Sequence, residues 1–159
     1  MTGDAASCSD MHASSGPHGG PGTSWWAWEM TLLAAADAPG LARQATREVL
    51  IAWHVGHLEE TAVLFVSELV TNAVRHAGTG GSKLVLRLEA GGTSLRIEVQ
   101  DDDPHWPELG PPSGLGESGF GLIIVDALAN TWGVSETATG KAVWAELDTR
   151  PGHQPGQPA

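Results

Sequence analysis

The chain has 159 residues, 19 acidic against 8 basic, for a formal net charge of −11. That balance disfavours a surface for nucleic-acid phosphates, which rests on clustered Lys and Arg, and it means that any bound nucleotide would need Mg²⁺ to offset the field of the protein. Cys8 is the single cysteine, so neither a disulfide framework nor a cysteine metal site can be built. No stretch approaches the roughly 18 consecutive apolar residues of a membrane span, and the start lacks a basic region followed by an apolar run. One cytoplasmic domain, without membrane or direct nucleic-acid contact, is the expectation.

Residues 1 to 24 are Gly, Ser, Ala, Pro and His with almost nothing large and apolar, which predicts a disordered tail. Residues 25 to 33 read as an edge strand, followed by the turn signal Asp37-Ala38-Pro39-Gly40. From Gly40 to Trp53, Leu41, Ala45, Val49 and Ala52 fit one helical face that serves packing. His54 and His57 have the spacing of a ligand pair, but Val55-Gly56 between them reads as a turn and no third ligand follows, so no metal is assigned there.

The spacing predicts a second helix over residues 58 to 77, with Glu59 and Glu60 in its first turn and Gly78 past its end. Ala62, Phe65, Val66, Leu69, Val70, Ala73 and Val74 share its apolar side. Glu68 and Asn72, at i and i+4, border that side, and His76 continues their row into the apolar arc. Polar groups where water is partly excluded are costly unless something binds them.

Leu84, Leu86 and Leu88 alternate, Gly91-Gly92 turns the chain, and Leu95, Ile97 and Val99 alternate again, the pattern of an antiparallel hairpin. Continuing the period of two, Asp101 points inward and Asp102 outward. An inward carboxylate needs hydrogen-bond donors, from the protein or from a ligand such as an exocyclic amine. Residues 102 to 119 read as a long Pro- and Gly-rich loop of the kind used in lids and binding loops. Gly119-Phe120-Gly121 then opens the apolar run from Leu122 to Ala129, read as a buried helix whose N-terminal amides can approach an anion. Residues 132 to 137 and 142 to 147 flank the turn Ala138-Thr139-Gly140-Lys141 and form a second hairpin with Val143, Ala145 and Leu147 inward. Residues 149 to 159 read as a second disordered tail. The fold class expected is α/β, a two-layer sandwich of a mixed, largely antiparallel sheet covered on one face by about three helices.

In order along the chain, Glu68-x-x-x-Asn72, Asp101 after its strand, Gly119-Phe120-Gly121-Leu122 and Gly140-Lys141 before the last strand resemble the N, G1, G2 and final boxes of the GHKL ATPases. That family includes gyrase, a heat-shock chaperone and the ATP domains of histidine kinases. The resemblance covers residues 27 to 148, and in length and spacing it is closest to the small bacterial anti-sigma-factor serine/threonine kinases. It implies a Bergerat-type ATP-binding fold at residues 25 to 148 with ATP and Mg²⁺ as cofactors. It also implies that Asn72 binds Mg²⁺, that Asp101 accepts the adenine amine, and that Gly119, Gly121 and Leu122 form the phosphate-side segment. Glu68 would be the catalytic residue that orients or deprotonates the attacking hydroxyl, with His76 and Lys141 completing the nucleotide site. The partners implied are a small antagonist protein and a sigma factor; a homodimer is compatible with the sequence. Asp103 and His105 stand where the family has glycines, and no Lys or Arg occurs from Asp103 to Gly121. A transferring phosphoryl group is usually met by an Arg, a Lys or a metal, so the alternative reading is a nucleotide-sensing module without useful phosphoryl transfer.

Overall fold

The computed structural model describes residues 25–77, 81–105 and 120–153. Five strands, β1 (Trp25–Leu33), β2 (Lys83–Gly91), β3 (Ser94–Asp101), β4 (Thr131–Glu136) and β5 (Lys141–Asp148), form one sheet in the order β1-β2-β3-β5-β4. Helices α1 (Ala38–Ala52), α2 (Glu59–His76) and α3 (Phe120–Leu128) complete the two-layer α/β sandwich. Every neighbouring pair of described strands is antiparallel. A mixed sheet would need a parallel pair, and none forms among the described residues: after α3 the chain lays β4 at the far edge, and β5 returns between β4 and β3. β1 is the opposite edge, as its sequence suggested.

The alternation of the strands decides the two faces. Leu84, Leu86 and Leu88 of β2, Leu95, Ile97 and Val99 of β3, and Val143, Ala145 and Leu147 of β5 are buried under the helices. From α2 the residues Ala62, Phe65, Val66, Leu69, Val70 and Ala73 fill the same layer, so the predicted helical face and the predicted strand faces meet in one core. The opposite face of the sheet carries Arg96, which lies over the Trp144 ring at 4.1 Å and pairs with Glu98 at 3.0 Å and Glu146 at 3.2 Å. Such solvated ladders contribute little each, so burial beneath the helices holds the sheet.

Two local expectations change. Residues 37 to 40 are not a free turn: Ala38 and Pro39 are already the first residues of α1, because a proline there lacks only an N–H that a helix start leaves unpaired anyway. His76, expected in the apolar arc, is exposed, since it is the last residue of α2. His54 takes a left-handed φ of 58° between α1 and a 3-10 helix at Gly56–Leu58, forming the interhelix turn. Gly78, expected just past α2, lies outside the described residues, as do the two terminal stretches through residue 24 and from residue 154. No described helix is long and apolar enough to cross a membrane.

The segment after β5 is tied down at its start. Thr149 N–H donates to Thr93 O at 2.9 Å and Asp148 N–H to Asn130 Oδ1 at 2.8 Å, fastening the end of β5 to the β2–β3 turn and to the α3–β4 connection. The Arg150 guanidinium and backbone N–H donate to the Asp148 carboxylate and hold its pKa down to about 2, against an ordinary 3.8.

Two outcomes follow from this packing. Phe65, fully buried at the centre of α2, should cost about 3–5 kcal/mol on Phe65→Ala in urea unfolding, a large part of the roughly 5–15 kcal/mol typical of a domain. Because the folded-state pKa of Asp148 is depressed, its contribution to stability is present above pH 3.8 and is lost as pH falls through about 2. In a carboxyl ¹³C NMR titration Arg150→Ala should move the Asp148 midpoint up toward the ordinary value.

Candidate functional site

Chain direction brings the polar residues of α2 to one end of the sheet. The start of α2 is anchored at the other end: just before it, His57 Nε2 lies 2.9 Å from Thr149 O, and Thr149 is bonded to the β2–β3 turn. From there α2 and β3 run the same way. The rise from Glu59 to Asn72 is about 20 Å and that from Ser94 to Asp101 about 24 Å. Asn72 thus comes level with the end of β3, on which α2 packs. Glu68 and Asn72 are half-buried, and neither makes a hydrogen bond or ion pair within the described residues. One residue before Glu68, Ser67 Oγ accepts from Arg43 Nη1 at 3.1 Å, which fixes the helix against α1.

Asp101 ends β3 on the helix-covered face, 6% exposed, as strand parity predicted. Its register partner is Lys141, the first residue of β5. Lys141 is only 1% exposed, and its Nζ donates to Asp101 Oδ1 at 2.9 Å and to Asp103 O at 3.0 Å, with Asp103 Oδ2 at 3.8 Å. Asp103 N–H also donates to Asp101 Oδ1, at 2.9 Å. Oδ1 therefore takes two donors, and Oδ2 takes none from the described residues. Burying a lone carboxylate or ammonium costs several kcal/mol, and the pair offsets this only because both charges are hydrogen-bonded. Two of the three Lys141 N–H donors are engaged where the ammonium stands.

Two further residues complete this cluster. Asp103 accepts from His105 N–H at 3.0 Å and lies 2.6 Å from His105 Nδ1, and these contacts, backbone first, lower its pKa below the ordinary carboxylate value. Gly140 precedes Lys141 where the β4–β5 turn crosses the end of β3: a Cβ there would sit 2.1 Å from Asp101 O and 2.7 Å from two Asp102 atoms. Only glycine lets the turn come close enough to set Lys141 beside Asp101. The signal for Lys141 was present in the alternation of Val143, Ala145 and Leu147, which carried back two residues points Lys141 inward. The close approach at Gly140 has no sequence signature.

The phosphate-side residues are placed in part. Gly121 lies in the first turn of α3, and Leu122 beside it is 5% exposed and packs in the core with Val125. Gly119 and most of the loop read at 102 to 119 lie outside the described residues. His76 is at the exposed end of α2, one turn beyond Asn72. A cavity of about 450 Å³ at this end is lined by Lys83, Val85, Gln100, Asp101, Asp102 and Thr139, so Asp101 borders it.

Metal chemistry fits the α2 residues in one way. No group of three His, Cys, Asp or Glu side chains able to hold a metal occurs among the described residues. Asn72 and Glu68 offer oxygen ligands without a partner among the described residues, which suits a hard cation that takes one or two side chains and completes its shell with phosphate oxygens and water.

Comparisons with known proteins give the family. A profile of the histidine kinase-like ATPase domain matches residues 32–147, from the end of β1 to the end of β5. An uncharacterized protein of Streptomyces coelicolor is 35% identical over 83 residues, 51% of this chain and 79% of that protein. With α2, Asp101 and α3 inside the matched span, the chain belongs to the histidine kinase-like ATPase domain family, and ATP is the ligand this membership implies.

Proposed function

We propose that this ATP-binding domain is a regulatory serine/threonine kinase of the anti-sigma type, which phosphorylates a small antagonist protein and sequesters a sigma factor. The observation that supports the reading is the buried carboxylate of Asp101 at the end of β3, in a layer on which α2 packs and carries Glu68 and Asn72 one turn apart. Asp101 Oδ2 accepts the adenine amine. Asn72, with Glu68 beside it, would hold Mg²⁺, which would neutralise charge on the phosphates. Glu68 takes the proton of the partner's hydroxyl as its oxygen forms a bond to the γ-phosphorus. The bond from that phosphorus to the β–γ bridging oxygen breaks, leaving ADP and a phosphorylated Ser or Thr. The half-buried setting of Glu68 suits this role, because a base works best where water does not compete for it.

A second reading, nucleotide sensing without useful phosphoryl transfer, draws on a specific feature. Lys141, next to Gly140 in the last box, donates to Asp101 and Asp103, and residues 103 to 121 contain no Lys or Arg. In that reading the same site binds Mg-ATP and the protein responds to occupancy alone.

Radiolabelled Mg-ATP with small antagonist proteins from the native source separates the two. The kinase reading predicts a labelled partner, with Glu68→Ala lowering the rate by about 10²–10⁴-fold while ATP still binds. Absence of any labelled protein with wild type, or undiminished labelling with Glu68→Ala, overturns it. Calorimetry adds the binding half: Asp101→Asn should weaken Mg-ATP by about tenfold or more, the scale of one hydrogen bond to a charged group. Tight binding lost in Asp101→Asn, with no turnover in wild type, supports sensing.

A further inference from the structure

We infer that Lys141 acts at the base end of the nucleotide site as a positioning residue, holding Oδ1 of Asp101 so that Oδ2 alone faces the ligand, and that it does not serve the phosphates. This rests on the reading of the site as an adenine-nucleotide site. The geometry assigns the role in three steps.

First, the ammonium has no spare reach. Two of its three donors go to Asp101 Oδ1 at 2.9 Å and Asp103 O at 3.0 Å, Asp103 Oδ2 lies at 3.8 Å, and the residue is 1% exposed. A lysine that cradled a phosphate would have to leave the buried Asp101 carboxylate without its counter-charge, a costly way to break such a pair.

Second, the pair fixes the orientation of the carboxylate. Oδ1 is held from two directions, by Lys141 Nζ and by Asp103 N–H. A carboxylate pinned by one oxygen presents the other at a set position, and a pinned acceptor is what discrimination by a single hydrogen bond requires. The ligand group that fits is a neutral donor such as an exocyclic amine, since the positive charge beside the carboxylate is already supplied.

Third, the fold invests backbone in this contact. Gly140 lets the β4–β5 turn pass over Asp101 and Asp102 at a distance that no side chain allows. The Gly140 N–H donates to Thr137 Oγ1 and the Gly140 carbonyl accepts from Thr137 N–H, both at 3.0 Å, so the turn that delivers Lys141 is itself fastened.

Calorimetry in Mg²⁺ buffer with three probes, ATP, adenosine and the purine riboside that lacks the 6-amine, tests the assignment on wild type and Lys141→Met. Wild type should prefer adenosine to purine riboside by about tenfold or more. Lys141→Met should reduce that preference to about twofold or less while leaving the ratio of ATP to adenosine affinity unchanged. An undiminished amine preference in Lys141→Met overturns the inference, as does a loss confined to ATP. A merely structural lysine would weaken adenosine and purine riboside together and leave their ratio intact, which also overturns it. If Lys141→Met does not fold, Asp101→Asn with Lys141→Met removes both charges, and the comparison is with Asp101→Asn alone. Equal ATP affinity of the two supports a role through Asp101, and a further fall in the double variant assigns Lys141 to the phosphates. Wild type that binds none of the three probes overturns the nucleotide reading and this inference with it, whereas normal wild-type binding with an unaltered Lys141→Met overturns only the inference.

Discussion

Asp101 and Lys141 are buried side by side at the ends of β3 and β5, and that ion pair constrains what the rest of the structure can be. Both charges are withdrawn from water, so each must be satisfied within the protein. The solution uses strand register to set them opposite one another, the Asp103 amide and carbonyl to close the remaining bonds, and a glycine at 140 to bring the two strands' ends together. Removing any one of these leaves an unpaired charge beneath α2. The pair also consumes the cation that an acidic chain could least spare, so charge on a bound phosphate has to be met by Mg²⁺ or by groups elsewhere.

α2 turns this local arrangement into a site. Its apolar face is fixed by the core under the sheet, which leaves it no freedom to rotate Glu68 and Asn72 away from their border. Because α2 runs parallel to β3 from a common anchor near Thr149, the border residues arrive level with Asp101 without any contact between them having to enforce it. Packing energy is thus spent far from the site, and the polar residues inherit their positions from the frame. This is the arrangement that keeps half-buried oxygen donors free for a ligand.

Much of this was legible in the sequence, and for identifiable reasons. Periods of two and of 3.6 are direct images of strand and helix burial, so the hairpins, the α2 face and the inward turn of Asp101 could be read residue by residue. Long-range proximity has no such image. The pairing of β3 with β5 joins segments separated by α3 and β4, and only that register shows Lys141 to be the partner of Asp101 and not part of a turn. End effects were also illegible: Pro39 reads as a turn residue until its unneeded N–H is recognised at the start of α1, and His76 falls on the apolar arc by angle yet has no following turn to cover it. The resemblance of the four boxes supplied the ligand that periodicity could not, and the family match over residues 32–147 gives that ligand its footing.

The central claim is that one end of the α2–β3–β5 layer, floored by Asp101 and Lys141, is where a Mg-adenine nucleotide binds. Backbone amide NMR during titration with Mg-ATP tests it most directly. Shift changes should concentrate on residues 68 to 76 of α2, on 101 to 103 and on 140 to 142, while Trp25, Gly92 and Thr93 at the far end of the sheet stay still. Shift changes centred on the β2–β3 turn, or a spectrum that Mg-ATP leaves unchanged, would contradict the account.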